Sequence, residues 1–544
     1  MDEHYATTWE AIADAFPDDI ALVHGTTIRT WRQFDERAAR LAAAMLDAGV
    51  RPGDTVAVDL YNCPEYLEGY FAAMKIRAVP GNINFRYLGD ELRDLLRLAE
   101  ARVLIHHSSF SDRVATALRD DHSLRLVVTV DDSDAGPDRP AGAAEYEALL
   151  AAWGPAPRVH RSGSDNLLSF TGGTTGLPKA VEYVIGRSVN NTQMLGRLNL
   201  GIEGLDWSRP SIERAMTLRH LCPPPVAIPA SPMMHSTGLI MASLPVLTLG
   251  GTVVTLISRR FDADELLAAV ARHRPSTVSI VGDAFARPMV RALDSQAATG
   301  RPYDASSLVT ITSAGAAWSG PVKQALLEHI PQVTLVDSCG SSEGATIGSQ
   351  IVRRGDRAST DRFRPAAGLR LVREDGSTIP YTSDETGMFL LPTVANGYRG
   401  DAERTAVAFR TVDGVRYVQP GDWGRWNPDG TVTLIGRGTS TINTGGEKVH
   451  PEEVQNVAVL HEDVDDCLVF GVSDERFGQR VVAIVQPVPG HDVDPDSVLA
   501  FVHERLAGYK VPKQVVVASV PRAPNGKAMF DDARDVFRAA TVGA

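Results

Sequence analysis

The stretch "SFTGGTTGLPKAVEYV", residues 169–184, decides how this chain is read. Three glycines and three threonines fill Thr171–Gly176, and Pro178 stands directly before Lys179. "NLLSF" before the loop reads as a short strand and "AVEYV" after it as another. Glycines permit positive φ and let backbone N–H groups approach an anion closely. The threonines add hydroxyls and Lys179 adds a charge. An ordinary glycine-rich hairpin turn fits the same letters. A hairpin, however, needs only about two to five loop residues, and the strands as read leave more than that. The expectation is a phosphate-binding loop. It is not a Walker A loop, because that motif places Ser or Thr after the lysine and opens a helix, whereas Ala180 follows here.

The rest of the chain sets bounds on what such a loop serves. Its 544 residues exceed one compact core. Hydrophobic residues make up 44% and charged residues 22%, a globular composition. A net charge of -13 argues against a general nucleic-acid binder and does not favour an anionic membrane surface. Cys63, Cys222, Cys339 and Cys467 lie far apart without CxxC spacing, which points to a reduced, cytoplasmic compartment. No secretory signal and no membrane span are expected.

Helical and strand patterns alternate from the start. "TWRQFDERAARLAAAMLDAGV" has apolar residues at three-to-four spacing, "RPGDTVAVDL" reads as turn and strand, and "CPEYLEGYFAAMKIRAV" reads as a helix. This rhythm predicts an α/β fold with largely parallel strands. "DDSDAGPDRPAGAAE" and "GIEGLDWSRPSIERAMTLRH" read as surface excursions. After about Ala345, "GMFLLP", "VRYVQPGDWGRW" and "GTVTLIGRG" read as a β-rich subdomain. The expected organisation is a large domain over 1–436 with two α/β subdomains plus the β-rich one, a Gly/Thr-rich hinge at 437–440, and a small mobile α+β domain over 441–544.

Further motifs carry chemistry. "DSCGSSEG" (337–344) is a second small-residue loop ending in Glu343, which suits Mg²⁺ beside a nucleotide or, alone, a cap or turn. Asp422 in "QPGDWGRW" suits the two hydroxyls of a ribose. Arg437 and Lys527 add cations, each of which alone reads as a solvated charge. Together "TGGTTGLPKA", "SPMMHSTG", "DSCGSSEG", "GDWGRW", "GRGTSTINTGGEKVHPEEV" and "PNGKAMF" resemble, in order and spacing, the superfamily of adenylate-forming enzymes. That superfamily comprises acyl-CoA synthetases, peptide-synthetase adenylation domains and luciferases. The resemblance covers nearly the whole chain. "TGGTTG", "VGDAFARP", "INTGGEKV" and "GYKVP" look most like actinobacterial acyl-CoA synthetases that activate fatty or steroid side-chain acids.

The resemblance implies two half-reactions. A carboxylate attacks the α-phosphorus of ATP and pyrophosphate leaves; a thiol, usually coenzyme A, then displaces AMP. It implies that Thr171, Gly172, Gly173, Thr174, Thr175, Gly176 and Lys179 clasp the β- and γ-phosphates, and that Glu343 binds Mg²⁺ with Ser342 near the α-phosphate. Gly315, Ala316 and Ala317 would line the adenine pocket beside Asp337, Ser338, Cys339, Gly340 and Ser341; Asp422 and Arg437 would hold the ribose. Lys527 would stabilise charge during adenylation, and His235 would gate the passage between acyl and thiol sites. Met233, Met234, Val281, Gly282, Ala284, Phe285 and Ala314 would line the acyl pocket, the small residues hinting at room. Gly445, Gly446 and Lys448 would approach CoA after the small domain rotates. A homodimer is likewise implied. This chain departs from the pattern at Cys339, where an aromatic is common, at Thr439 in the hinge, at Ala180, and in "VEYVIGRS". Three functions therefore compete: a CoA ligase, an adenylating enzyme that activates a different acid (nitrite included) or uses an amine acceptor, and a catalytically silent nucleotide binder.

Overall fold

The computed structural model describes residues 3–87, 89–119, 123–132, 139–173, 176–343, 345–437, 442–444, 447–474, 478–523, 526 and 528–541. At 171–173, 176–178, 193–195, 345, 437, 443, 447, 448 and 478 the description is of backbone only.

Parallel strands need crossovers, and the chain supplies helices with one apolar stripe for that purpose. Helix Trp31–Asp47 opens on a capping box: Thr30 Oγ1 accepts from the Gln33 amide at 3.3 Å, and Gln33 Oε1 accepts from the Thr30 amide at 2.9 Å. Its buried residues Trp31, Phe34, Ala38, Leu41, Ala42 and Met45 recur at helical spacing. They pack towards helix Pro64–Lys75, where Phe34 and Phe71 meet with ring centroids 5.0 Å apart.

The strands form three sheets. An eight-stranded sheet runs through Thr55–Asp59, Val79–Asn82 and Ala101–His107 to Asn166–Gly173, Gly176–Val184 and Ala395–Tyr398. A sixteen-stranded sheet carries the parallel strands Val226–Pro229, Thr277–Ile280, Thr310–Ala314 and Thr334–Ser341 side by side. The β-rich region expected after Ala345 continues this same sheet. Strand Arg362–Pro365 pairs with Ala345–Val352 on one side and Val432–Arg437 on the other. The five-stranded third sheet is drawn entirely from Ile442–Thr444, Glu447–Val449, Val464–Asp474, Gly478–Pro487 and Gln514–Val517. The excursion at 201–220 contains a helix, Ser211–Leu221. Among the described residues no helix is long and apolar enough to cross a membrane, and all four cysteines are free.

One buried charge pair braces the strand that leads to the site. The Lys323 side chain, fully buried, donates to Asp337 Oδ2 at 2.7 Å, Gln350 Oε1 at 2.7 Å and the Ser359 carbonyl at 2.8 Å. Burial raises the Asp337 pKa and Lys323 opposes that rise. Removing one partner strands the other charge in the interior. Lys323→Met should therefore cost about 3–5 kcal/mol of stability, read by urea unfolding.

Candidate active site

Four neighbouring parallel strands end together, and their carboxyl ends are where an open α/β sheet binds ligands. From Pro229 the chain turns through Met233, Met234 and His235 into the short helix Ser236–Gly238 and a π-helical turn at Leu239–Ser243. From Ile280 it enters helix Gly282–Ala298, from Ala314 it reaches Gly315–Ala317, and from Thr334–Ser341 it reaches Ser342 and Glu343. The sequence-predicted adenine, acyl and metal residues therefore lie along one rim. Gly315, Ala317 and Gly340 are exposed there, while Glu343 is buried.

Backbone chemistry explains much of the rim. Gly282 has φ +49°, and a Cβ there would lie 2.2 Å from the Ala317 carbonyl oxygen. Its amide donates to Ser313 Oγ at 2.9 Å, and the Asp283 amide donates to the Ala317 carbonyl at 2.9 Å. Gly282 is thus small because two backbones meet, not to leave room for an acid.

The second sheet reaches across to hold the His235 turn. Asn62 Nδ2 donates to the Pro229 and Ser231 carbonyls at 2.9 and 3.0 Å, and its Oδ1 accepts from the Met233 amide at 2.7 Å. Asn82 donates to the Met234 carbonyl and accepts from the Phe170 amide. Tyr66 donates to the Met233 carbonyl at 3.0 Å.

The hairpin of residues 169–184 is tighter than its sequence suggested. The ladder runs on through Thr171↔Lys179 to Gly173↔Gly176, shifting register between Thr171 and Gly173. Only residues 174 and 175 connect the strands, so loop length no longer argues for anion binding. Glycines, lacking Cβ, allowed the ladder to continue. Thr174 and Thr175 lie outside the described residues, as do the side chains of Thr171 and the backbone-only neighbours.

Lys179 is described, and its position matters. Its Nζ lies 3.3 Å from the Tyr398 hydroxyl and 4.8 Å from that ring's centroid. The same hydroxyl donates to Glu343 Oε1 at 2.8 Å. Burial first, then the Glu343 carboxylate, pushes the Tyr398 pKa well up, so the hydroxyl stays protonated and donates. Thr393 Oγ1 fixes the Glu343 carbonyl, and Tyr183 donates to the Ser342 carbonyl. Lys179, Tyr398 and Glu343 form one relay between the two large sheets. Close by, the buried hydroxyls of Ser338 and Ser341 have no partner among the described residues.

Other sequence-predicted residues fall elsewhere. Asp337 is held by Lys323, so its carboxylate is not available to a nucleotide. Phe285 is 2% exposed and packs on Phe261 with centroids 4.1 Å apart, so it is core rather than pocket. Met233 is fully buried. Val281 is buried in the same core cluster as Phe285, while Ala284 and Ala314 stay at the rim. Asp422, 7% exposed, stands directly opposite Arg437 in the antiparallel pair Asp422–Trp426 and Val432–Arg437. Cys339 is half-buried at a register shift of its strand. Lys527, Gly445 and Gly446, and most of the hinge at 438–440, lie outside the described residues; Arg437 and Lys448 are described in backbone only.

The residues present fit a magnesium–triphosphate group. Magnesium takes one or two carboxylates plus phosphate oxygens rather than an all-protein cage. Glu343 supplies one hard carboxylate, joined through the Tyr398 hydroxyl to the Lys179 ammonium, and no cluster of three metal-binding side chains occurs among the described residues.

A model of AMP-binding enzymes matches residues 9–398, and one of the AMP-binding enzyme C-terminal domain matches residues 453–527. A medium/long-chain-fatty-acid–CoA/3-oxocholest-4-en-26-oate–CoA ligase of Mycobacterium tuberculosis is 35% identical over 523 residues, covering 95% of this chain and 93% of its own. A 3-oxocholest-4-en-26-oate–CoA ligase of Rhodococcus rhodochrous is 36% identical over 533 residues, 97% of this chain and 94% of its own. The crystal structure of an anthranilate CoA ligase with anthranoyl-AMP superposes with a TM-score of 0.84 at 22% identity, over 100% of this chain and 98% of that one. At that identity the likeness is one of fold.

Proposed function

Because this chain belongs to the AMP-binding enzymes, it is an AMP-forming ligase of the acyl-CoA synthetase type, and we propose that its acid is a medium- or long-chain fatty acid or a steroid side-chain acid. The observation that carries the reading is the Lys179–Tyr398–Glu343 relay at the carboxyl ends of the strands. It sets a cation for phosphate oxygens beside a carboxylate for a metal.

In the first half-reaction an acid carboxylate oxygen bonds to the α-phosphorus while the bond to the β-phosphate oxygen breaks. Pyrophosphate carries that electron pair away. Residues 171–179 hold the leaving pyrophosphate, and Lys179 offsets the charge that develops on it. Magnesium, when bound at Glu343, neutralises phosphate charge. Asp422 and Arg437 hold the ribose, and Gly315–Ala317 with Ser338–Ser341 border the base. In the second half-reaction the CoA thiolate bonds to the acyl carbon and AMP leaves on its phosphate oxygen; the thiol proton passes to solvent. A domain boundary at the 437–440 hinge lets the small domain bring Lys527 to the first step and Gly445–Lys448 to the second. His235 closes the passage between them. A cytoplasmic location suits ATP, CoA and four free cysteines.

The test is AMP release with ATP and Mg²⁺ across decanoate, palmitate, 3-oxocholest-4-en-26-oate, anthranilate and nitrite, each with CoA or an aryl amine. AMP and acyl-CoA should form in equal amounts with one of the first three acids. AMP formed only with an amine acceptor, or only with nitrite, overturns the CoA reading. No AMP and no pyrophosphate exchange with any acid overturns adenylation.

A further inference from the structure

Helix Gly282–Ala298 has two working faces. Phe285, Ala286, Met289, Ala292 and Leu293 are buried in the core. Ala284, Arg287 and Arg291, three and four residues apart, make a second face. That face meets the C-terminal part of the chain at two levels.

The first level is shape. Gly526 is buried at φ +76°, and a Cβ there would lie 2.9 Å from the Ala284 Cβ, 3.6 Å from Val281 Cγ1 and 3.9 Å from the Ala316 Cβ. The second level is charge. Asp465 Oδ1 lies 3.3 Å from Arg291 Nη1 and 3.6 Å from Arg287 Nη1, and Asp465 Oδ2 accepts from Gln486 at 3.2 Å. Arg287 also pairs with Asp283 at 3.1 Å. The two levels are joined within the C-terminal part. Asp466 binds Arg522, with Nη2 to Oδ1 at 2.7 Å, and Arg522 Nη1 donates to the Gly526 carbonyl at 3.0 Å. Gly526 directly precedes Lys527 in the chain.

We propose that the Ala284–Arg287–Arg291 face is the seat on which the small domain docks for adenylate formation and from which it lifts for thioester formation. Ala284, Arg287, Arg291 and Asp465 are then positioning residues for the first half-reaction. Their role rests on the two-step reading given above. The seat suits a contact that opens in every cycle: Arg291 is about half exposed, so its ion pair is screened and weak. The Gly526 contact adds selectivity of fit without a large buried area.

Two measurements test this on the full chain. Nitroxides carried on unnatural ketone side chains at Ser295 and Asp496 report domain position without any substrate. Asp465→Ala and the double variant Arg287→Ala/Arg291→Ala should broaden the distance distribution relative to the parent; an unchanged distribution overturns the seat, whatever the chemistry proves to be. The second measurement separates the half-reactions with decanoate, or with whichever acid the screen identifies. Pyrophosphate exchange should fall about five-fold in Asp465→Ala and in Arg287→Ala/Arg291→Ala. Thioester formation from the supplied acyl-adenylate should stay within about two-fold or rise. Equal loss in both half-reactions, or no loss in either, overturns the positioning role. Lack of exchange by the parent with every acid counts against the functional reading alone, because the nitroxide distances still decide the seat.

Discussion

Lys527→Ala should slow acyl-adenylate formation by about 10²–10³-fold while thioester formation from a supplied acyl-adenylate stays within about two-fold. The adenylation transition state spreads negative charge over the α-phosphate and the departing pyrophosphate. A single well-placed cation there contributes only as that charge develops, so its loss lowers kcat more than it raises KM. The structural support is the buried seat of Gly526, one residue before Lys527, against Val281, Ala284 and Ala316. Pyrophosphate exchange and single-turnover thiolation, measured on the same preparation, check the split. No loss in either step would return Lys527 to an ordinary surface charge, and an equal loss in both would overturn a role specific to adenylation.

Glu343→Gln should lower kcat/KM for ATP about 100-fold, with part of the loss recovered as Mg²⁺ is raised. The amide keeps an acceptor for the Tyr398 hydroxyl, so the local hydrogen bond survives and only the charge is removed. Tyr398→Phe is the companion. It leaves Glu343 its charge but removes the hydrogen bond that aims it, a charge-assisted contact worth about 1.5 kcal/mol or more and hence about ten-fold. The magnesium dependence should move in both variants. If neither variant changes it, Glu343 is structural and the metal lies elsewhere.

The fold was legible because its signals are local. Helix stripes such as Phe34, Ala38, Leu41 and Met45 need only spacing within one segment. The convergence of Glu343, Gly315–Ala317 and Lys179 followed from motif order together with the resemblance. What stayed hidden depends on partners far away in the chain. Asn62 and Asn82 hold the His235 turn from the other sheet, and nothing beside them in sequence marks that task. Tyr398 is an unremarkable aromatic until strand Ala395–Tyr398 pairs beside Gly176–Val184 and brings it to Lys179. Asp337 sits within a motif, yet the buried Lys323 claims it.

Phe285 is a different case, because its signal was present. Phe285, Met289 and Leu293 recur every four residues, the mark of a core stripe, and this places Ala284 on another face. Reading "VGDAF" as a pocket segment overlooked the helix phase. The length of the 169–184 loop misled for a simpler reason: glycine is a poor strand former, yet Gly173 pairs with Gly176 and Thr171 with Lys179, which carries the ladder into the small-residue run.

The contact between Ala284 and Gly526 bears on how this enzyme's acid preference can be altered, by evolution or by engineering. On the reading proposed above, the wall that borders the acid is also the wall on which the moving part comes to rest. A bulkier residue at position 284, introduced to favour shorter acids, would also obstruct closure, so a selection scored on product alone would confuse a poorer fit for the acid with a poorer commitment to the first step. Positions such as Ala314, on a neighbouring strand end and not among the three nearest neighbours of Gly526, offer the cleaner route to a new specificity.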